Sequence, residues 1–434
     1  MIHENNRSYF FTDAAGHLYP AYGQYSVAEI VPTFLRWFGI DTKRAAFPEQ
    51  ISKHYLPKSQ KLILFMLDGF GYDYFFKNYA EMEFFKRIVE RGNVYPITST
   101  FPSTTPAALT TIHTGLTPQE HGLLEWTVYF EELDQLIETL PFRPHHDHGR
   151  DSLLSQGGTG EMLYNGDTVY ERLALHGVKC FSFIQEEISS GAYSKMVKKG
   201  STVIEFVDEK DLMQKLTEKL ENESGPAYYF VYWTKIDSVQ HQYGTGSKEH
   251  HAEVQKFSKV LMQDFVEKIN FEKSDDALLT FTADHGLASI RDEEIIYLNN
   301  FEFLEERYQK NKKGQRIPPT GSPHDVFLFI KPDKVEEVIE FLRATLGDRA
   351  EVLSSAEALR RGLFGLNDPA VKFLRRIGNV MILPREGFHV WYQYFQDYEF
   401  NQLGIHGGMS PQEMTSLFGV ISLKTLKAND YDQK

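Results

Sequence analysis

The chain has 434 residues, 41% of them hydrophobic and 14% aromatic, enough for more than one ordinary core, and this predicts a large α/β domain carrying an inserted one. Its formal net charge of -14 speaks against long polyanionic partners, because nucleic-acid binding rests on basic patches that release counterions. A single cysteine, Cys180, excludes an intramolecular disulfide; with no apolar run of membrane-span length and no basic-then-apolar leader at the amino terminus, a cytoplasmic protein is expected.

Residues 1–60 read as an extension packing on the core, with one amphipathic stretch at 27–38 interrupted by Pro32. The apolar run 61–67 then predicts a buried strand, ended by Asp68 and a turn through Gly69 and Gly71. A hydroxyl-rich segment follows at 98–115. Within it Thr105 reads as an N-cap and Pro106 as the first helical residue, with 107–113 as the helix body and Gly115 as its stop. The N–H groups and partial positive charge of that helix N-terminus favour an anion.

Strand character is absent between 127 and 166, which reads as a lid-like loop insertion. It contains His145, His146 and His148, read as part of an ordered surface loop rather than a third metal site, and Arg143 and Arg150, read as solvated but close enough in sequence to reach a substrate phosphate. A helix at 168–175, stopped by Gly177, leads into a core strand around Cys180. The run 228–233 predicts a second buried strand, after which Asp237 and His241 share one face of a helical turn. Val254, Phe257, Leu261 and Phe265 recur at helical spacing, and the run 277–283 predicts a third buried strand closed by Asp284, His285 and Gly286.

Residues 299–400 read as a small α/β cap inserted into the core segments 61–298 and 401–434. Its strand at 325–330, helix from Val335 to Leu342 and strand at 380–383 follow from their patterns, and His324 and His389 are read as structural. His406 comes last, between glycines that let the backbone approach a metal or phosphate.

Three strands thus deliver acids and imidazoles to one edge of a sheet, outside the carboxyl ends of the strands, where open α/β sheets bind ligands. Mixed imidazole and carboxylate ligands suit zinc, with manganese as the other candidate, and three Asp, three His and a hydroxyl suffice for two divalent ions. Two metals about 4 Å apart can stabilise both the attacking and the leaving oxygen of a displacement at phosphorus. The nucleophile is expected among the hydroxyls of 98–115, with Ser103 and Thr104 as rivals to Thr100.

The chain resembles the alkaline phosphatase superfamily, and within it the type I phosphodiesterase/nucleotide pyrophosphatase branch. The resemblance rests on 61–122, 228–286 and the last thirty residues, including Thr-Phe-Pro at 100–102 and the Thr-Gly-x-x-Pro-x-x-His-Gly pattern at 114–122. It implies an alkaline-phosphatase-like core with a central, mostly parallel sheet flanked by helices. It gives Thr100 the nucleophile role, puts Asp68, Thr100, Asp284 and His285 on one ion, and puts Asp237, His241 and His406 on the other. Trp126 departs from the pattern, since the branch carries a phosphate-binding Asn there. The expected activity is hydrolysis of phosphodiester or pyrophosphate bonds in small, nucleotide-type substrates through a covalent phosphothreonine. A phosphonate hydrolase or phosphomonoesterase on the same scaffold is the alternative, and a non-catalytic metal- or phosphate-binding protein the last reading. No membrane or nucleic-acid partner is expected, and a homo-oligomer is compatible.

Overall fold

The computed structural model describes residues 1–54, 60–290, 295–395 and 400–428. Its centre is a seven-stranded sheet of β1 (Lys61–Leu67), β2 (Asn93–Thr98), β3 (Lys179–Gln185), β4 (Thr202–Phe206), β5 (Ala227–Trp233), β6 (Leu278–Thr282) and β7 (Thr415–Ser422). The spatial order is β2-β7-β6-β1-β5-β3-β4. Only β7 runs antiparallel to its neighbours, β2 and β6. The sheet is therefore mostly parallel, as expected for strands that read as continuous apolar runs rather than alternating ones.

Both faces are covered. Along β1, Leu62, Leu64 and Met66 enter one core, while Ile63, Phe65 and Leu67 enter the other. That alternation is the two-residue period of a strand with hydrophobic packing on each side. β1 lies between β5 and β6, with Leu67 opposite Trp233 and Met66 opposite Thr282. This register brings the residues that follow the three strands to the same edge.

A second sheet, antiparallel and four-stranded, falls within 299–400. It orders Thr320–Ser322, Asp325–Leu328, Val380–Pro384 and Ala350–Ser354, and the helix Val335–Leu346 packs its Val338, Ile339 and Leu342 into the same core.

Three local expectations are corrected. Residues 127–166 do contain strands: Thr127–Phe130, Gln135–Glu138 and Arg143–Pro144 form a small antiparallel sheet whose Val128, Phe130 and Ile137 are buried. Their charged connection turns at Asp134 with φ 54°, which hid the hairpin. Pro32 does not interrupt a helix either; it occupies the first turn of Ile30–Trp37, where its missing N–H would have no helical partner. The helix over 105–114 has Thr104, not Thr105, as its N-cap, and Pro106 is its second residue.

Candidate functional site

Asp68 leaves the end of β1, and Asp284 and His285 leave the end of β6. Asp237 and His241 lie on helix α2 (Lys235–Tyr243), which begins two residues after β5. His406 is supplied by the loop before β7. Asp68, Asp284 and His285 form one close group and Asp237, His285 and His406 another, with His241 joined through Asp237. His285 Nε2 is 3.3 Å from Asp284 Oδ2 and 3.7 Å from Asp68 Oδ1, and the His285 and His406 rings stack at 3.6 Å. His406 Nε2 lies 3.9 Å from Asp237 Oδ1, and His241 Nε2 lies 3.2 Å from Asp237 Oδ2.

The hydroxyl that joins them is Thr105. Its Oγ1 is 3.2 Å from His285 Nε2 and 3.5 Å from Asp68 Oδ1. Thr100 is not there: it is fully buried and its hydroxyl donates to the Pro102 carbonyl at 3.3 Å. The other hydroxyls nearby are similarly engaged. Ser99 donates to Asp284 O, Ser103 to Gly408 O and Thr104 to Leu124 O, while Thr104 Oγ1 also accepts from the Ala107 N–H. The Thr100 hydroxyl is thus engaged within its own loop, and the Thr-Thr pair before Pro106 divides the work, one hydroxyl capping the helix and the next facing the acids. That pair was the available signal in the sequence.

Four donor atoms, Asp68 Oδ1, Asp284 Oδ2, His285 Nε2 and Thr105 Oγ1, show separations of 3.2, 3.3, 3.5 and 3.7 Å. Bonds of about 2.0–2.2 Å to a central tetrahedral ion would put ligands about 3.3–3.6 Å apart, so the spacing fits a zinc-sized cation. The tautomers agree. Nδ1 of His241, His285 and His406 each faces a backbone carbonyl, of Gly404 at 2.7 Å, Gly286 at 3.1 Å and Ser103 at 3.0 Å. A proton on each Nδ1 leaves the Nε2 lone pairs turned inward, the arrangement in which an outer partner fixes a ligating imidazole.

The carboxylates are prepared in the same way. Gly69 and His285 donate backbone N–H groups to Asp284 Oδ1, each at 3.0 Å, and Tyr232 donates its hydroxyl to Asp68 Oδ2. Asp284 Oδ2 and Asp237 Oδ1 are buried with no hydrogen-bond partner. Burial, then the neighbouring Asp284 and Asp237, pushes Asp68 well above the usual carboxyl range, and burial lifts Asp284 to about 6. Burial also raises Asp237, but His241 outweighs it and holds that carboxyl below its ordinary value. His285 falls to about 4 and His406 to about 3, mainly by burial. His241, despite burial, is raised to about 8 by Asp237. Tyr232 carried no sequence signal apart from its strand, and its role follows from lying opposite Met66, two residues before Asp68.

The site opens into a cavity of about 530 Å³ whose wall includes Asp68, Thr105, Asp237, His241 and His406 together with Trp126, Arg150 and Lys198. Arg143 is held elsewhere, by Glu138 at 2.7 Å and the His148 carbonyl at 2.9 Å. Among the described residues, no His/Asp/Glu group spaced to hold an ion includes His145, His146 or His148. His324 and His389 are joined at 2.7 Å, and His324 continues to Glu413, a buried chain beside the His406 loop.

The family model for type I phosphodiesterase / nucleotide pyrophosphatase matches residues 62–409. The chain belongs to that family. A Schizosaccharomyces pombe protein described as an uncharacterized pyrophosphatase/phosphodiesterase is 23% identical over 82% of this chain and 70% of its own length. Human ectonucleotide pyrophosphatase/phosphodiesterase family member 1 is 23% identical over 55% of this chain, which spans only a quarter of that protein. The solved structure of mouse ectonucleotide pyrophosphatase/phosphodiesterase 5 superposes with a TM-score of 0.61 at 19% identity, over 83% of this chain and 87% of that one. It shares the fold: a large, mostly parallel sheet flanked by helices. The family is one of pyrophosphatase/phosphodiesterase enzymes, and among the described residues no helix is long and apolar enough to cross a membrane.

Proposed function

We propose that the cavity is the active site of a binuclear metallohydrolase that cleaves phosphodiester or pyrophosphate bonds of small, nucleotide-type substrates, with Thr105 as nucleophile. The observation that carries this reading is the position of the Thr105 hydroxyl among Asp68, Asp284 and His285 while every neighbouring hydroxyl is bonded to a backbone carbonyl. Asp68, Asp284, His285 and Thr105 would hold one divalent ion, and Asp237, His241 and His406 the other. Zinc fits the donor set best. When bound, the pair supplies Lewis-acid chemistry that lowers the hydroxyl pKa and meets charge on the phosphoryl oxygens.

The protein's own part follows from its geometry. Thr105 Oγ1 attacks phosphorus, the bond to the leaving oxygen breaks, and a phosphothreonine forms; water then attacks the same phosphorus and frees the Thr105 oxygen. Thr105 is the first residue of α1 (Thr105–Thr114), so the new ester sits at a helix N-terminus, where partial positive charge favours an anion. Fewer N–H groups serve there than the sequence suggested. Pro106 has none, and those of Ala107 and Ala108 are taken by Thr104, which leaves the N–H of Thr105 itself. Tyr232 and the three carbonyls on the imidazole Nδ1 atoms keep the ligands from rotating.

A second reading, a phosphonate hydrolase or phosphomonoesterase on the same scaffold, is favoured by one observation. Trp126, 44% exposed, stands on the cavity wall in place of an amide. A hydrolysis panel on zinc-loaded protein separates the two. Turnover of diesters and dinucleotides is expected; turnover of phosphonoacetate or monoesters alone would favour the second reading, and inactivity on all of them despite tight metal binding would overturn both.

A further inference from the structure

Lys198 is the residue of the cavity wall that the proposed reaction leaves unused. It follows the short helix Ala192–Val197, is only 3% exposed, and hydrogen-bonds through Nζ to Ser194 Oγ at 3.1 Å. Among the described residues no carboxylate is paired with it. The segment is tied to the nucleophile helix: the Tyr193 hydroxyl meets Thr110 Oγ1 at 3.0 Å, and Thr110 donates to the Pro106 carbonyl at 2.6 Å. A second cation, Arg150, lies exposed on the same wall, with Nη1 3.6 Å from the position a Cβ would take on Gly191, at the other end of the Lys198 helix.

An ammonium taken out of water without a counter-anion is unfavourable, and burial here brings Lys198 down to about 7, with only the Ser194 hydroxyl and the Tyr193 ring, 5.9 Å from Nζ, beside it and no opposite charge. The wall's acids do not answer it. Glu125 is buried, hydrogen-bonded to Asp325 and pushed up to about 7 by burial, Glu138 is already paired with Arg143 and His145, and Glu187 is exposed. What can reach Nζ is a group that enters through the cavity.

We propose that Lys198, with Arg150 toward the rim, forms an anion subsite that takes a second acidic group of the substrate, a phosphate or a carboxylate carried beyond the phosphorus that Thr105 attacks. This rests on the function proposed above and narrows its substrates to those with two anionic centres. Lys198 is a specificity residue: it holds the far end of the substrate and takes no part in bond breaking.

The test compares kcat/KM for ADP, whose second anion is a phosphate, phosphonoacetate, whose second anion is a carboxylate, and bis(4-nitrophenyl) phosphate, which has none. Lys198→Met keeps the stem that packs in the wall. It should lower the ratio of kcat/KM on ADP or phosphonoacetate to that on the aryl diester by about 30-fold or more, through KM, as removal of one partner of a buried charge pair does. Lys198→Arg should restore part of it. Whichever of the two anionic substrates responds identifies phosphate or carboxylate. An unchanged ratio with both would overturn the proposal. Calorimetric binding of ADP and phosphonoacetate to zinc-loaded Thr105→Ala protein separates the two claims. Weaker binding in the Lys198→Met background without turnover by the parent protein would sink the hydrolase reading and keep the subsite; turnover with undiminished binding would do the reverse.

Discussion

Thr105→Ala and Thr100→Ala distinguish two hydroxyls five residues apart that the sequence alone ranked in the opposite order. Thr105 Oγ1 sits 3.2 Å from His285 Nε2 on the wall of the cavity, whereas Thr100 Oγ1 is buried against its own loop, 3.3 Å from the Pro102 carbonyl. Loss of a nucleophile typically costs several orders of magnitude in rate, and at about 1.36 kcal/mol per tenfold a loss of roughly 10⁴ corresponds to about 5 kcal/mol of transition-state stabilisation. The stability cost should be small by comparison. Thr105 is not the cap, so its removal forfeits only the contacts to His285 and Asp68, about 1 kcal/mol, while Thr104→Ala removes the N-cap bond from Ala107 and the bond to the Leu124 carbonyl and costs at least about as much.

The assay pairs steady-state turnover with thermal unfolding and with mass spectrometry of acid-quenched enzyme. Thr105→Ala should unfold within a few degrees of the parent, bind metal and lose nearly all turnover. Thr100→Ala should lose stability without a large loss of kcat, and phosphate should map to Thr105. A phosphoenzyme on Thr100, Ser103 or Thr104, or an active Thr105→Ala, would refute the reasoning.

Further expectations follow from the same contacts. Asp284→Asn keeps an oxygen for the Gly69 and His285 N–H groups but removes the charge facing His285, so metal analysis should show the ion count falling from near two toward one per chain, with turnover abolished; an unaltered count would contradict the ligand assignment. Glu413 is buried, yet His324, Ser410 and the Gly408 N–H outweigh burial and hold its carboxyl at about 2, against an ordinary 4.5. A depressed carboxyl contributes stability that is full above pH 4.5 and lost as pH falls toward 2, about 3 kcal/mol here, so Glu413→Gln should flatten the fall of Tm across that window. Gly286→Ala would put a methyl 2.1 Å from the Gln412 carbonyl oxygen, a backbone atom that cannot swing aside; a loss of about 2 kcal/mol or more in denaturant unfolding is expected, and wild-type stability would show that the loop yields.

The strands were legible because their physics is local. A run such as 62–67 or 228–233 is apolar at every position, which only a strand buried on both faces requires, and the acid that follows it marks the edge of the sheet. Six of the seven expected site residues are brought together for that reason. Thr100 is not brought to the others, because a motif three residues long says nothing about which way a hydroxyl points. The structure shows the deciding fact, a carbonyl of the same loop within reach of Thr100 and none claiming Thr105. The hairpin in 127–144 escaped for a related cause, since its strands are short and its turn is acidic. Lys198 lay beyond sequence reasoning altogether: in the run Lys198-Lys199 one ammonium is 3% exposed and the other reaches Glu171 in solvent, and only packing separates them.

What prepares the site is where the remaining valences of its side chains go. Three carboxyl groups converge, and two of them are lifted toward the neutral form by burial first, Asp68 also by Asp284 and Asp237, and Asp284 also by Asp237. A fold does not tolerate that arrangement for stability alone, since like charges without a cation repel. Yet the chain invests further in it. Tyr232 fixes Asp68, two backbone N–H groups fix Asp284, and three carbonyls fix the three imidazoles, so that each ligand presents one free face to the same place. Two of those carbonyls, of Ser103 and Gly404, lie in the loops that also carry the helix cap and His406. The Thr105 helix and His406 are therefore held by the same short contacts: Ser103 receives the Gly407 N–H and donates to Gly408. Displacing that loop would turn His406 and shift Thr105 together, which makes Ser103, a residue off the cavity wall, the point through which the two halves of the site are kept in register.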